Sequence, residues 1–156
     1  MRRGFTMIEL IFVIVIIGIL AIIAIPKLSA TRDDAKVSNI VANARTAIAD
    51  MKAFYTSQGE KKFEDGNTTV SQVTNVPFKK TDCKTDAQTA SISGTELALC
   101  DSEETACLKF KYDATNNTVK VTASGDTTVC KAVAQDPSIK ALTADVQHLG
   151  GSGVVR

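Results

Sequence analysis

A single carboxylate, Glu9, stands inside a run of apolar residues, and no other part of the 156-residue chain is so chemically exposed as a question. An ionised side chain in a hydrocarbon environment costs about 2.5–3.5 kcal/mol on insertion scales, so Glu9 calls for a cation or some equivalent partner. The other groups able to do chemistry are sparse. Cys83, Cys100, Cys107 and Cys130 lie outside the apolar run, at long spacings with no Cys-x-x-Cys pair, which argues against structural zinc. An even count on the exported side of a membrane anchor reads as two disulfides, with three connectivities possible. The one histidine, His148, sits beside a glycine run with neither nucleophile nor carboxylate at a useful spacing, so acid-base catalysis has no machinery in sequence and the chain reads as a non-enzyme. Asp101, Glu103 and Glu104, or Asp113 with Asn116, offer oxygen atoms hard enough for calcium but in no recognisable loop spacing, and solvated acidic loops are the simpler reading; no cofactor is expected.

These groups are positioned by a strongly segregated sequence. From Leu10 to Ile25 every residue is apolar or glycine, and the 21 residues from Phe5 to Ile25 form a helix of roughly 30 Å, the thickness of a bilayer's hydrocarbon core. Arg2 and Arg3 precede it, while Lys27 and Arg32 beyond it are offset by Asp33 and Asp34, which orients the chain with its N-terminus in the cytoplasm and the remainder outside. Ala21-Ile22-Ile23-Ala24 lacks the small-residue spacing of a secretory cleavage site. A formal charge of +1, falling to −1 without Arg2 and Arg3, supplies no bulk attraction for nucleic acid; a local basic patch such as Lys79, Lys80 and Lys84 is read as a solvated loop.

Past Pro26 the apolar positions take up helical periodicity. Val37, Ile40, Val41, Ala44, Ile48, Met51 and Phe54 or Tyr55 form one stripe, with Asn43, Arg45, Asp50 and Lys52 away from it. The helix is expected to continue to about Ser57, stopped at Gly59, with the stripe packed on a sheet of the same chain. Residues 60–75 read as a turn-rich connection around Asp65-Gly66-Asn67, and Pro77 to Gly94 shows no clear pattern. Alternation then predicts strands at Leu108–Tyr112 and Val119–Ala123 around a turn at Asn116-Asn117, and a third strand over Thr127–Val133, with Glu96–Cys100 as a possible fourth. Asp136-Pro137-Ser138 opens a short helix to about Gln147 that leaves His148 at its end, and Val154-Val155 reads as a terminal strand. The fold class is α+β: a long N-terminal helix, membrane-spanning then amphipathic, on a small antiparallel sheet. The expected segments are 1–4 as leader, 5–25 as membrane helix, 26–58 as its amphipathic continuation and 59–156 as the sheet-bearing region.

The stretch Arg2-Arg3-Gly4-Phe5-Thr6-Met7-Ile8-Glu9-Leu10 resembles the leader and first turn of type IV pilins and type II secretion pseudopilins: short and basic, then Gly, Phe, and Glu at the fifth mature position. The resemblance implies cleavage between Gly4 and Phe5 by a prepilin peptidase, and N-methylation of Phe5. It implies that the Phe5 amine of one subunit pairs with Glu9 of a neighbour, supplying the missing cation. Gly18 and Pro26 match family positions where the helix softens in assembled filaments; a glycine weakens helix by about 1 kcal/mol and a proline removes a backbone bond. The implied partners are like subunits, membrane lipid before assembly, and an inner-membrane platform with its ATPase, and the product is a periplasmic or extracellular filament. Family members often close the C-terminal part of the sheet with a disulfide, which favours Cys83–Cys100 with Cys107–Cys130 over Cys100–Cys107 with Cys83–Cys130. One objection stands: with two-residue loops in both hairpins, Cys107 and Cys130 point to opposite faces unless a bulge intervenes. A membrane-anchored binding domain that never polymerises is the alternative from another class.

Overall fold

A computed structural model describes residues 5–101 and 104–150, with backbone alone for residues 25, 26 and 29. Its longest element is α1, Met7–Gln58, 52 residues. The chain divides into two compact units within that helix, one through Ala35 and one from Lys36 onward.

In the first unit the helical backbone continues through Gly18 and Pro26. From Phe5 to Ala24 every side chain is exposed. The stretch Met7–Ala24 is long and apolar enough to cross a membrane and none of it is buried against the chain.

The second unit begins with the amphipathic part of α1. Ile40, Val41, Ala44, Ala47, Ile48 and Met51 are buried, at the three- and four-residue spacing that puts them on one helix face, with Val37, Phe54 and Tyr55 at its margins. The helix stops where Gly59 takes φ +83°, a left-handed conformation natural to glycine, while its N–H still bonds Tyr55 O at 2.9 Å.

Residues 60–75, expected as a loose connection, contain two short helices, α2 (Glu60–Glu64) and α3 (Val70–Val73). Polar composition concealed a fully buried Phe63, whose ring lies 4.9 Å from that of Tyr112, 5.8 Å from Tyr55 and 6.2 Å from Phe54. Thr69 and Gln72 cap α3 reciprocally.

Five antiparallel strands follow in simple sequence order: β1 (Lys79–Lys80), β2 (Leu97–Cys100), β3 (Ala106–Asp113), β4 (Thr118–Ala123) and β5 (Gln147–His148). The register aligns Leu97 with Phe110, Leu99 with Leu108, Phe110 with Val121 and Tyr112 with Val119. These residues, with Tyr112 partly buried at the margin, and the α1 stripe form one hydrophobic cluster. Each large aliphatic or aromatic side chain so buried contributes about 1.5–3 kcal/mol relative to exposure. The β3–β4 loop has four residues, 114–117, in place of the two expected, because Asp113 and Asn117, the latter at φ +52°, shape a wider turn.

The third strand expected over Thr127–Val133 is instead a helix, α4 (Thr128–Gln135). β-branched residues suggest a strand there, but the Thr127 hydroxyl accepts the Cys130 N–H at 3.2 Å, an N-cap. Val129, Cys130 and Val133 are buried at helical spacing. Asp136 then caps α5 (Pro137–Ala144), with Pro137 in its first turn. This helix ends short of Gln147. His148 therefore lies not at a helix end but on β5, opposite Thr118. The expected strand at Val154-Val155 lies outside the described residues.

Candidate processing and assembly site

The chemistry-bearing N-terminal residues occupy the first turns of α1. Gly4 lies outside the described residues; Phe5, next to it, is 83% exposed. Thr6 donates both its backbone N–H (2.8 Å) and its hydroxyl (2.7 Å) to Glu9 Oε2, and the Glu9 N–H reaches the Thr6 hydroxyl at 3.4 Å. Thr-x-x-Glu at the head of an apolar helix is a capping box, and Thr6–Glu9 carries that signal in its sequence alongside the buried-charge problem of Glu9. The carboxylate thus has hydrogen-bond donors within its own chain. It has no countercharge: among the described residues, no Lys or Arg lies within ion-pairing distance of it. Phe5, Ile8, Phe12 and Val13 stand beside Glu9 and frame an open apolar groove. Gly18 has open space where a side chain would be, so packing within the chain does not require a glycine there.

In the second unit the four cysteines form Cys83–Cys100 and Cys107–Cys130, with Cα separations of 6.0 and 4.7 Å. The parity objection to the second bond dissolves for two reasons. Cys130 is on a helix, not a strand. The β2–β3 pairing also slips between Leu99↔Leu108 and Cys100↔Ala106, leaving Cys107 as the extra residue of a bulge. Gly125 makes room for the bond: at φ +89°, a Cβ placed there would come within 2.9 Å of Cys130 Sγ and 2.8 Å of Ala106 O.

Asp101 approaches Cys107 and Cys130 closely, but both sulfurs are engaged in a disulfide and offer no thiolate to a metal. Asp113 accepts from Thr115 N at 2.9 Å and Asn116 Nδ2 at 2.8 Å, and these bonds hold its carboxyl below the usual range. It is a turn-forming residue. Glu103 lies outside the described residues, and Glu104 pairs with Lys84 at 3.6 Å, both well exposed. Lys79 and Lys80 form β1. His148 is exposed, across from Thr118.

An exposed apolar helix headed by a capped carboxylate, joined to a disulfide-braced α+β module, defines a membrane-competent subunit built around its N-terminus. Residues 1–25 match the family model described as the prokaryotic N-terminal methylation motif, the prepilin-type cleavage and methylation segment of type IV pilins and pseudopilins. This is a family of structural, pilin-like subunits, and the match together with the apolar helix points to membrane anchoring before assembly. No curated protein and no solved structure matches the chain.

Proposed function

We propose that the chain is a structural subunit of a type IV pilus-like filament, cut between Gly4 and Phe5, methylated at Phe5 and assembled through α1. The observation carrying this reading is a carboxylate with local hydrogen bonds but no countercharge among the described residues, at the head of an exposed apolar helix that bears the methylation motif. A methylated Phe5 amine from a neighbouring copy supplies a positive charge to Glu9, and lateral burial replaces lipid around residues 10–25. Each subunit contacts the next through unlike surfaces, so the association propagates rather than closes. Gly18 and Pro26 allow the helix to soften between them on assembly. Two disulfides support an oxidising compartment for the second unit, and with Arg2 and Arg3 ahead of the span they favour an N-in, C-out anchor.

Mass spectrometry of the mature N-terminus tests processing: N-methyl-Phe5 is expected, and an intact Met1 or an unmethylated Phe5 would favour a permanent anchor. Glu9→Ala is expected to insert and be cleaved normally but to enter filaments poorly, whereas normal assembly would remove the charge-pairing step. The same N-terminal segment serves secretion pseudopili. Neighbouring genes for a secretin with secretion partners, or for a retraction ATPase, distinguish the two systems.

A further inference from the structure

The turn Asp65-Gly66-Asn67 is used by neither the core nor the assembly segment, and it opens an Asn-x-Thr tripeptide, Asn67-Thr68-Thr69. Such tripeptides are acceptors for asparagine-linked glycans when an exported chain presents them at its surface. The sequence holds a second, Asn116-Asn117-Thr118, and the structure separates them. Asn116 Nδ2 donates to Asp113 Oδ2 at 2.8 Å within the β3–β4 turn. Modifying Asn116 would disturb that turn. At the first tripeptide Asn67 is exposed; its backbone N–H bonds Asp65 Oδ1 at 3.1 Å, and its side chain also interacts with that carboxylate, two residues away on the same exposed turn. Thr68 beside it is fully buried and donates its hydroxyl to Lys62 O at 2.7 Å, which pins the turn and leaves Asn67 on the outside. Gly66 has open space around it.

We propose that Asn67 is an N-glycosylation site. The donor is a lipid-linked sugar diphosphate: the carboxamide nitrogen forms a bond to the anomeric carbon, the bond from that carbon to the diphosphate oxygen breaks, the lipid diphosphate leaves with the electron pair, and one amide proton is lost to base. Because Thr68 is sealed into the core and Thr69 caps α3, transfer takes place before α2 and α3 close. The finished fold then carries the glycan on its surface, outside the packed core.

The proposal rests on export of the second unit, and the test separates the two. Full-length protein from the membrane and filament fractions of its own cells is digested with trypsin and the peptide 63–79 analysed by mass spectrometry. The expected result is a sugar mass increment with saccharide fragment ions on that peptide and none on the peptide 112–120. Asn67→Gln and Thr69→Ala should abolish the increment, while Thr69→Ser and Asn116→Gln retain it. An unmodified 63–79 peptide in chains whose cysteines are oxidised overturns the glycan and leaves export standing. An increment surviving in Asn67→Gln overturns the nitrogen linkage in favour of a threonine hydroxyl. Unmodified chains with reduced cysteines take both readings down.

Discussion

The two units of this chain obey opposite rules. From Leu10 to Ala24 the side chains are apolar and exposed, whereas from Lys36 onward the apolar side chains close on one another around Phe63, Phe110 and Met51. A contiguous apolar surface of the first kind far exceeds what a soluble monomer leaves uncovered, so lipid or neighbouring copies must complete it. The second unit completes itself, with two disulfides and no unsatisfied buried side-chain polar atom among the described residues. One half of the molecule is a partial interface and the other is a finished fold.

Substitutions can break that division or sharpen it. The largest effect is expected from Phe63→Ala, which removes a fully buried ring and should lower the unfolding free energy of the second unit by about 3–5 kcal/mol. Phe12→Ala, at 67% exposure, should leave the same denaturant midpoint in detergent unchanged; a comparable loss there would end the separation of roles. Replacing Cys107 and Cys130 together by serine should cost about 3 kcal/mol, the chain-entropy value for a loop of this size, read as a fall in Tm. Gly125→Ala combines a left-handed φ with a backbone clash and should cost about 1–3 kcal/mol, seen in the same measurement.

The pH dependence should be confined to the second unit's hydrogen-bonded groups. Ser138 donors hold the Asp136 carboxyl below its ordinary value, so the stability it contributes is present above about pH 4 and is lost as pH falls through the folded value. Tyr112 behaves oppositely: burial, then the hydrogen bond and charge of Glu64, push its phenol up, so its contribution is complete below about pH 10 and is lost as pH rises further. Tyr112→Phe should reduce the alkaline limb of a stability-pH profile, and Asp136→Asn should reduce the acid limb that Asp136 shares with Asp65, Asp82 and Asp113. The smallest effect concerns Lys111 and Lys120, like charges directly opposite across β3 and β4; Lys120→Glu should raise stability by about 0.2–1 kcal/mol.

Legibility in the sequence follows the same division. The apolar helix of the first unit is readable because its physical problem is one-dimensional: a span long enough for a bilayer with a charge inside it. The same carboxylate carries a second signal, the Thr6–Glu9 capping box, in which a local donor competes with the cost of the charge in lipid. The α1 stripe from Val37 to Tyr55 and the β3–β4 alternation were readable for the same reason, each repeating at its own period over several residues. Where elements are short the signals conflict. Thr127 to Val133 carries strand-forming residues at positions that a threonine cap and the spacing of Val129, Cys130 and Val133 convert to helix, and tertiary burial decided between them. Phe63, one aromatic among charged neighbours, has no periodic partner to announce it, and its burial comes from rings distant in sequence. The N-terminal match ends at residue 25, so the second unit had to be read from pattern alone.

The disulfides join consecutive cysteines, first with second and third with fourth. A ribosome releases Cys83 and Cys100 before Cys107, so an oxidant acting on thiols in their order of appearance produces the native bonds directly. Neither loop encloses the other, and each can close while the rest of the chain is still arriving. The long apolar helix precedes all four, which means the chain can be held in place before its first covalent crosslink is made.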